Sequence, residues 1–250
     1  MKKIFVPSLM ALALASVSGL VQAQTAAPES SLSFNVGAVS DYRYRGISQS
    51  RLKPALQGGV DYADKSGFYV GAWGSTIKWI KDTPGVTAGS TEVDLYGGYK
   101  GAVGDVAYDV GFLRYQYSGN NYANYGVNAN TNEVYGAATF GVVTAKYSHA
   151  ISNLFGNIDS KNSYYLDLSA AFDLGNGFSL TPHVGYQKIK NVTDDAGSYT
   201  DYSLTLTKDL GNGLSATAAV VGTDADRTFY TLKDKFNGKS GLVVGLKYAF

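Results

Sequence analysis

The sequence predicts an all-β chain, a transmembrane antiparallel up-and-down β-barrel of about 12 strands behind an N-terminal signal peptide. Three observations predict it. Apolar and polar residues alternate with period two in segment after segment. Short turns alternate with long polar connections, as expected when one end of a barrel faces the periplasm and the other faces outside. Beyond Ala23 no apolar run is long enough for a transmembrane helix, so a membrane span must be a closed sheet.

Composition agrees. Among 250 residues there are 30 Gly, 20 Tyr and 11 Phe, and only 16% are charged. Tyr and Phe suit pleated surfaces, and Gly suits tight turns. The absence of Cys excludes disulfides and thiolate chemistry. With only two His as well, no metal site is expected, and no cofactor.

Residues 1–23 read as a signal peptide. Lys2 and Lys3 form the positive region, an apolar run follows, and Val21-Gln22-Ala23 resembles a cleavage site. Taking Lys2 and Lys3 from the 21 basic residues leaves 19 against 20 acidic ones, a balance that argues against a nucleic-acid partner. Residues 24–31 read as a short periplasmic segment, and 32–250 as the barrel.

The first strand places Leu32, Phe34, Val36, Ala38, Tyr42 and Tyr44 outward, with Asn35, Asp41, Arg43 and Arg45 inward. Leu56, Val60 and Tyr62 then oppose Gln57 and Asp61. Phe68, Val70 and Ala72 oppose Tyr69 and Trp73. Val93, Leu95 and Tyr99 oppose Glu92, Asp94, Tyr96 and Lys100. Val106, Tyr108, Val110 and Phe112 oppose Asp109, and the phase blurs near Arg114, where a bulge is expected. Weaker runs cover 133–141 and 142–149. Strands through Leu166, Val184, Leu204, Ala216 and Leu246 complete the set.

The short connections include Asp64-Lys65-Ser66-Gly67, Gly101-Ala102-Val103-Gly104-Asp105 and two near-copies. These are Asp173-Leu174-Gly175-Asn176-Gly177 and Asp209-Leu210-Gly211-Asn212-Gly213. Gly and Asn reach the positive φ that hairpin turns need. The long connections lie near 46–54, 77–90, 118–131, 150–162, 189–198 and 223–240. That pattern predicts six outer loops and both termini in the periplasm. Tyr42, Tyr44, Tyr62, Tyr99, Tyr108, Tyr147, Tyr164, Tyr186, Tyr202 and Tyr248 read as outward, as aromatic girdles would be.

The chain ends Gly245-Leu246-Lys247-Tyr248-Ala249-Phe250. Gly245, Tyr248 and the terminal Phe250 resemble the signal read by the outer-membrane assembly machinery, although Val243 stands where a polar residue is usual. Near the start, Ser40-Asp41-Tyr42-Arg43-Tyr44-Arg45-Gly46-Ile47-Ser48-Gln49 precedes Pro54-Ala55-Leu56-Gln57-Gly58-Gly59 and Gly67-Phe68-Tyr69-Val70-Gly71-Ala72-Trp73-Gly74-Ser75. This resembles the TorF family of porins, most sharply over 40–100. The resemblance implies an outer-membrane barrel.

The expected function is a pore for small hydrophilic solutes or ions, with outer-membrane lipids as neighbours. Fixed charge sets selectivity in pores. Asp41, Arg43 and Arg45 are the candidate selectivity cluster, expected to face Asp61, Glu92, Asp94 and Asp109 across the bore. The same charges pairing with one another would instead plug it. Tyr69, Trp73, Tyr96 and Tyr165 read as inward and would narrow it further. A lipid hydrolase is the competitor from another class, with Ser148, His149, Ser152 and Asn153 as its candidates. His149 and Ser152, three apart on a strand, point to opposite faces. His183 reads as a hydrogen-bonding group of the lumen. The acidic pairs Asp194-Asp195 and Asp224/Asp226 read as solvated loop charge. A surface barrel that binds through its loops is the third class.

Overall fold

The computed structural model describes residues 30–125 and 127–250. The expected signal peptide, and residues 24–29 of the segment after it, lie outside the described residues. The first strand already includes Ser31, one residue before the expected start.

Among the described residues, twelve antiparallel strands form one closed ring. They are β1 Ser31–Val39, β2 Ala55–Ala63, β3 Phe68–Thr76, β4 Thr91–Val103, β5 Val106–Tyr117 and β6 Thr131–Phe140. There follow β7 Val143–Ala150, β8 Tyr164–Ala170, β9 Phe178–Lys188, β10 Tyr199–Gly211, β11 Leu214–Thr223 and β12 Gly241–Ala249. A short piece, Phe172–Gly175, continues β8 and pairs with β9. Each strand pairs with its sequence neighbours. The ring closes where β1 meets β12, from Asn35↔Ala249 to Val39↔Gly245. Closure matters because it leaves no unpaired strand edge in hydrocarbon. No helix among the described residues is long and apolar enough to cross a membrane.

The period-two pattern is what the ring uses. Large apolar side chains stand exposed on the outer face of every strand, for example Leu32, Phe68, Val110, Leu168, Leu204 and Leu246. Buried polar side chains such as Asn35, Asp94, Thr181 and Thr205 stand on the inner face. In a membrane this inversion is the stable arrangement, since lipid covers the outer belt.

No bulge occurs near Arg114. The β4–β5 register runs unbroken from Glu92↔Tyr117 to Val103↔Val106, and β5–β6 is equally regular. Beyond Phe112 the outward face simply turns polar, at Arg114 and Gln116. A change of hydropathy along one face mimicked a change of face.

Register shifts occur instead at the two repeated turns, between Asp173 and Gly175 and between Asp209 and Gly211. In each, the Asp Oδ1 accepts a hydrogen bond from the Gly backbone N–H two residues on, at 2.8 Å. The next residues, Gly175-Asn176-Gly177 and Gly211-Asn212-Gly213, all have positive φ. Only Gly, and Asn next best, adopts that geometry cheaply. At Asp64-Lys65-Ser66-Gly67 the Asp64 carboxylate takes hydrogen bonds from the Ser66 hydroxyl, the Ser66 N–H and the Ser30 hydroxyl. The Ser66 bonds, hydroxyl then backbone, and the Ser30 hydroxyl hold the Asp64 carboxyl down to about 2.

Inward tyrosines lie along the wall over glycines of the adjacent strand. A Cβ at Gly71 would sit 2.5 Å from the Tyr96 ring, and one at Gly111 the same distance from the Tyr135 hydroxyl. Tyr69 covers Gly98 and Tyr165 covers Gly185 in the same way. These rings therefore take less of the bore than their size implies.

Candidate functional site

After Val39 the chain leaves the wall. Residues 40–54, expected to finish a strand and form an outer loop, fold into the lumen instead. Arg43–Tyr44 and Ile47–Ser48 pair as a small hairpin there. Its two turn residues, Arg45 and Gly46, have φ of 47° and 78°, as a two-residue turn of this hand requires. For Arg45 the left-handed geometry costs about 1–2 kcal/mol. Gly46 is constrained twice, because a Cβ there would meet Thr223 at 2.5 Å and Asp201 at 2.6 Å.

Asp41 anchors the base. Its carboxylate takes Arg43 Nε at 2.5 Å, the Ser48 hydroxyl at 2.5 Å and the Ser50 hydroxyl at 3.1 Å. Arg43 also donates to the carbonyls of Gly46 at 2.9 Å, Asn237 at 3.3 Å and Lys239 at 2.8 Å, so the last long loop is tied in. Arg51 makes a two-pronged pair with Asp82 of the short helix Trp79–Asp82.

Arg45 is the tip. Its Nη2 pairs with Glu133 of β6 at 2.7 Å, and its Nη1 donates to Gln187 of β9 at 2.7 Å. The guanidinium lies over Tyr165, 4.4 Å from the ring centre. In a ring of twelve, β6 and β9 flank the wall opposite β1. The hairpin therefore spans the bore.

Both flanks of the hairpin are packed. On one, Tyr42 meets Trp73 edge-on at 5.4 Å within a cluster that includes Ile80, Tyr96, Leu113, Tyr115 and Tyr117. On the other, Ile47 packs with Tyr199, Ala225, Tyr230 and Phe236. At this level inward side chains are buried on every strand from Ala55 of β2 round to Val221 of β11. At this level side chains pack the lumen against ten of the twelve strands. Nearer the short turns, Asp61, Lys100, Asp109, Lys146, Asp167 and Lys247 are only half-buried and form a charged vestibule, with the Tyr69 ring beside them.

The seven charged residues of the expected selectivity cluster are all inside the barrel, but the expected pairs do not form. The partners of Arg43 and Arg45 are Asp41 and Glu133, not Asp61, Glu92, Asp94 or Asp109. The reason is the inward turn, which carries both arginines away from the wall. Asp61 accepts from the Tyr96 hydroxyl at 2.5 Å, and Asp109 from Tyr69 at 2.6 Å. Glu92 accepts from Tyr42 at 3.1 Å. Asp94 is 0% exposed, and neither of its oxygens has a hydrogen-bond partner among the described residues. Tyr42 and Tyr44, expected in an outer girdle, are carried inside by the same turn. The Tyr44 hydroxyl meets that of Tyr115 at 2.5 Å. Alternation puts Gln187 on the inward face, but nothing in the sequence marks it or Glu133 as a partner of Arg45.

His183 stands inward between Asp167 at 2.9 Å and Asp201 at 3.6 Å. His149 is on the outer face, bonded to Tyr147 at 2.9 Å and Asn162 at 3.2 Å. Ser152 accepts from the Asn132 N–H and donates to the Asn153 carbonyl. These bonds hold His149 and Ser152 apart, so no nucleophile–base pair forms between them. Among the described residues no group of three or more His, Asp and Glu is arranged to hold a metal ion. At the seam, Phe250 exchanges backbone hydrogen bonds with Phe34 at 2.8 and 3.0 Å and stacks on Phe34 and Tyr248. Gly245 lies on the inner face of the seam, paired with Val39.

This architecture is shared with known porins. The KdgM porin matches 87% of this chain and 99% of its own, at 9% identity and a TM-score of 0.55. A second KdgM structure, in complex with disordered oligogalacturonate, matches with the same score. The NanC porin matches 88% of this chain and 99% of its own, at 13% identity and a TM-score of 0.55. The fold is thus a closed twelve-stranded antiparallel β-barrel of the kind these porins have. The chain belongs to the bacterial family of unknown function Gcw_chp, whose model matches residues 22–250. No curated protein matches it in sequence.

Proposed function

We propose that this protein is an outer-membrane pore for small hydrophilic solutes or ions, held closed by residues 40–54 in the conformation described. The observation that carries the reading is the contrast between a complete wall and a blocking segment that is no part of it. The wall closes without residues 40–54, through β1–β2 and β1–β12 pairing. The segment crosses the bore on the side chains of Arg43, Arg45 and Arg51. A charged vestibule below it offers hydration to polar solutes. The KdgM porin bound to oligogalacturonate supports a polar cargo, and the TorF resemblance supports the same class.

The short turns and the chain's two barrel ends share one rim, which fits periplasmic termini and outer loops. Phe250, with Tyr248 and Gly245, fits the role of the assembly signal because it completes the seam. The same blockage favours a second reading, a non-transporting surface barrel whose loops bind. Planar-bilayer conductance separates the two. Replacing residues 41–53 by a short Gly-Ser turn is expected to give a steadily open channel where the wild type is mostly closed. A shortened barrel that folds, inserts and carries no current sinks the pore reading and leaves the surface barrel.

A further inference from the structure

At the loop end of the outer face, Arg114 and Gln116 follow Phe112, the last apolar outward residue of β5. Arg114 Nε and Nη2 donate to Gln116 Oε1 at 3.1 and 2.8 Å, and Nη1 donates to Asn132 Oδ1 at 3.2 Å. Three of the five guanidinium N–H donors are thus taken, and two remain. The acceptors are neutral, and Arg114 forms no salt bridge among the described residues. Lys188, outward on β9, differs in being neutralised by Asp195. Arg114 is half-buried, so its charge sits at the edge of the apolar belt, oriented and uncompensated.

A second observation adjoins it. Gln116 pairs with Val93, and at Val93 begins a shallow apolar groove of about 450 Å³ on the outer face. It crosses β4 to β1 over Gly74, Ala72, Gly58 and Val60 and reaches Phe34. Gly58 and Gly74 are paired neighbours, and their missing side chains form the hollow. An apolar trough that begins one strand away from a guanidinium without a counter-charge, next to the Gln116 that holds it, fits an amphiphile with an anionic head. The planar fork of Arg matches phosphate oxygens better than a point charge would.

We infer that Arg114, oriented by Gln116 and Asn132, binds the phosphate of an outer-leaflet lipid whose acyl chain lies in the groove from Val93 to Phe34. This rests on the barrel being an outer-membrane protein and is independent of whether it conducts.

Native mass spectrometry tests it on folded barrels in detergent. The probes are a phosphorylated lipid A-type glycolipid, the same glycolipid without phosphate, and inorganic phosphate as competitor. The wild type is expected to retain the phosphorylated lipid about tenfold more tightly than Arg114→Gln, the loss of one charge-assisted contact. Gln116→Met keeps the charge but removes its orienting acceptor. It is expected to give a smaller loss, and it decides the matter if Arg114→Gln does not fold. Equal retention by wild type and variants overturns the site. So does equal retention of the dephosphorylated lipid. Displacement of the lipid by millimolar inorganic phosphate would assign the site to a free anion and overturn the lipid. Conductance of Arg114→Gln is expected to equal that of the wild type, so this test fails or succeeds apart from the pore reading.

Discussion

The wall and the segment inside it are built by different physics. The wall is repetitive. Each strand is held by backbone pairing to two neighbours, and its side chains obey one rule, apolar out and polar in. The inward segment has few backbone bonds of its own. It is held by three arginines, each satisfied by a different part of the molecule: Arg43 by Asp41 and the last loop, Arg45 by β6 and β9, and Arg51 by the short helix. A structure made of many equal local bonds should fail only when its rule is broken. One made of a few long-range bonds should fail at single residues. A barrel wall can thus be complete without the segment that fills its lumen.

The largest effect is expected at the tip. Arg45→Ala leaves Glu133 buried without its counter-charge, which costs about 3–5 kcal/mol. That cost falls on docking of the segment and spares the wall. The variant should therefore fold and insert, with normal unheated mobility on a gel, while its open probability in a planar bilayer rises sharply. If it is lost to misfolding, the segment is part of the folding core and the contrast collapses.

Next comes the wall. Leu168→Arg puts a charge in the middle of the outer belt and is expected to cost about 2–4 kcal/mol. Urea titration of the barrel in lipid vesicles measures this, and the open probability of whatever folds should match the wild type. A stability change within error would mean that this face is not covered by lipid.

The smallest effect belongs to a turn. The Asp64 carboxyl is held down to about 2, first by the Ser66 hydroxyl, then by the Ser66 N–H and the Ser30 hydroxyl. A lowered value means that its stabilisation is fully present above the unfolded carboxylate value, about 3.9. It is lost as the pH falls through about 2. Thermal unfolding of wild type and Asp64→Asn should diverge above pH 4 and converge near pH 2. Parallel curves over that range would mean that the Asp64 hydrogen bonds do not stabilise the turn.

These differences also explain what the sequence made legible. Alternation reports which face a residue occupies, so the twelve strands and the inward side chains Asp61, Tyr69, Trp73, Glu92, Asp94 and Asp109 could be read directly. Alternation does not report when a strand leaves its sheet. Asp41 to Arg45 alternate as well in an internal hairpin as in a wall, so alternation alone puts Tyr42 and Tyr44 on the wrong surface. Partners across the bore were illegible for the same reason. Glu133 meets Arg45 only because the chain turns inward after Val39. Arg114 shows the converse, since it keeps its face and changes only its surroundings.

In the proposed pore, residues 40–54 block a bore that is otherwise complete. The chain contains no cysteine, so an introduced pair is the only reactive one. With Arg45→Cys and Glu133→Cys combined, the latch is removed, and a short thiol-specific cross-linker restores it covalently. Planar-bilayer recordings of the same preparation before and after cross-linking make the test. An open channel is expected before cross-linking and a closed one after it. Equal current in the two states, whether high or absent, would contradict this blockage.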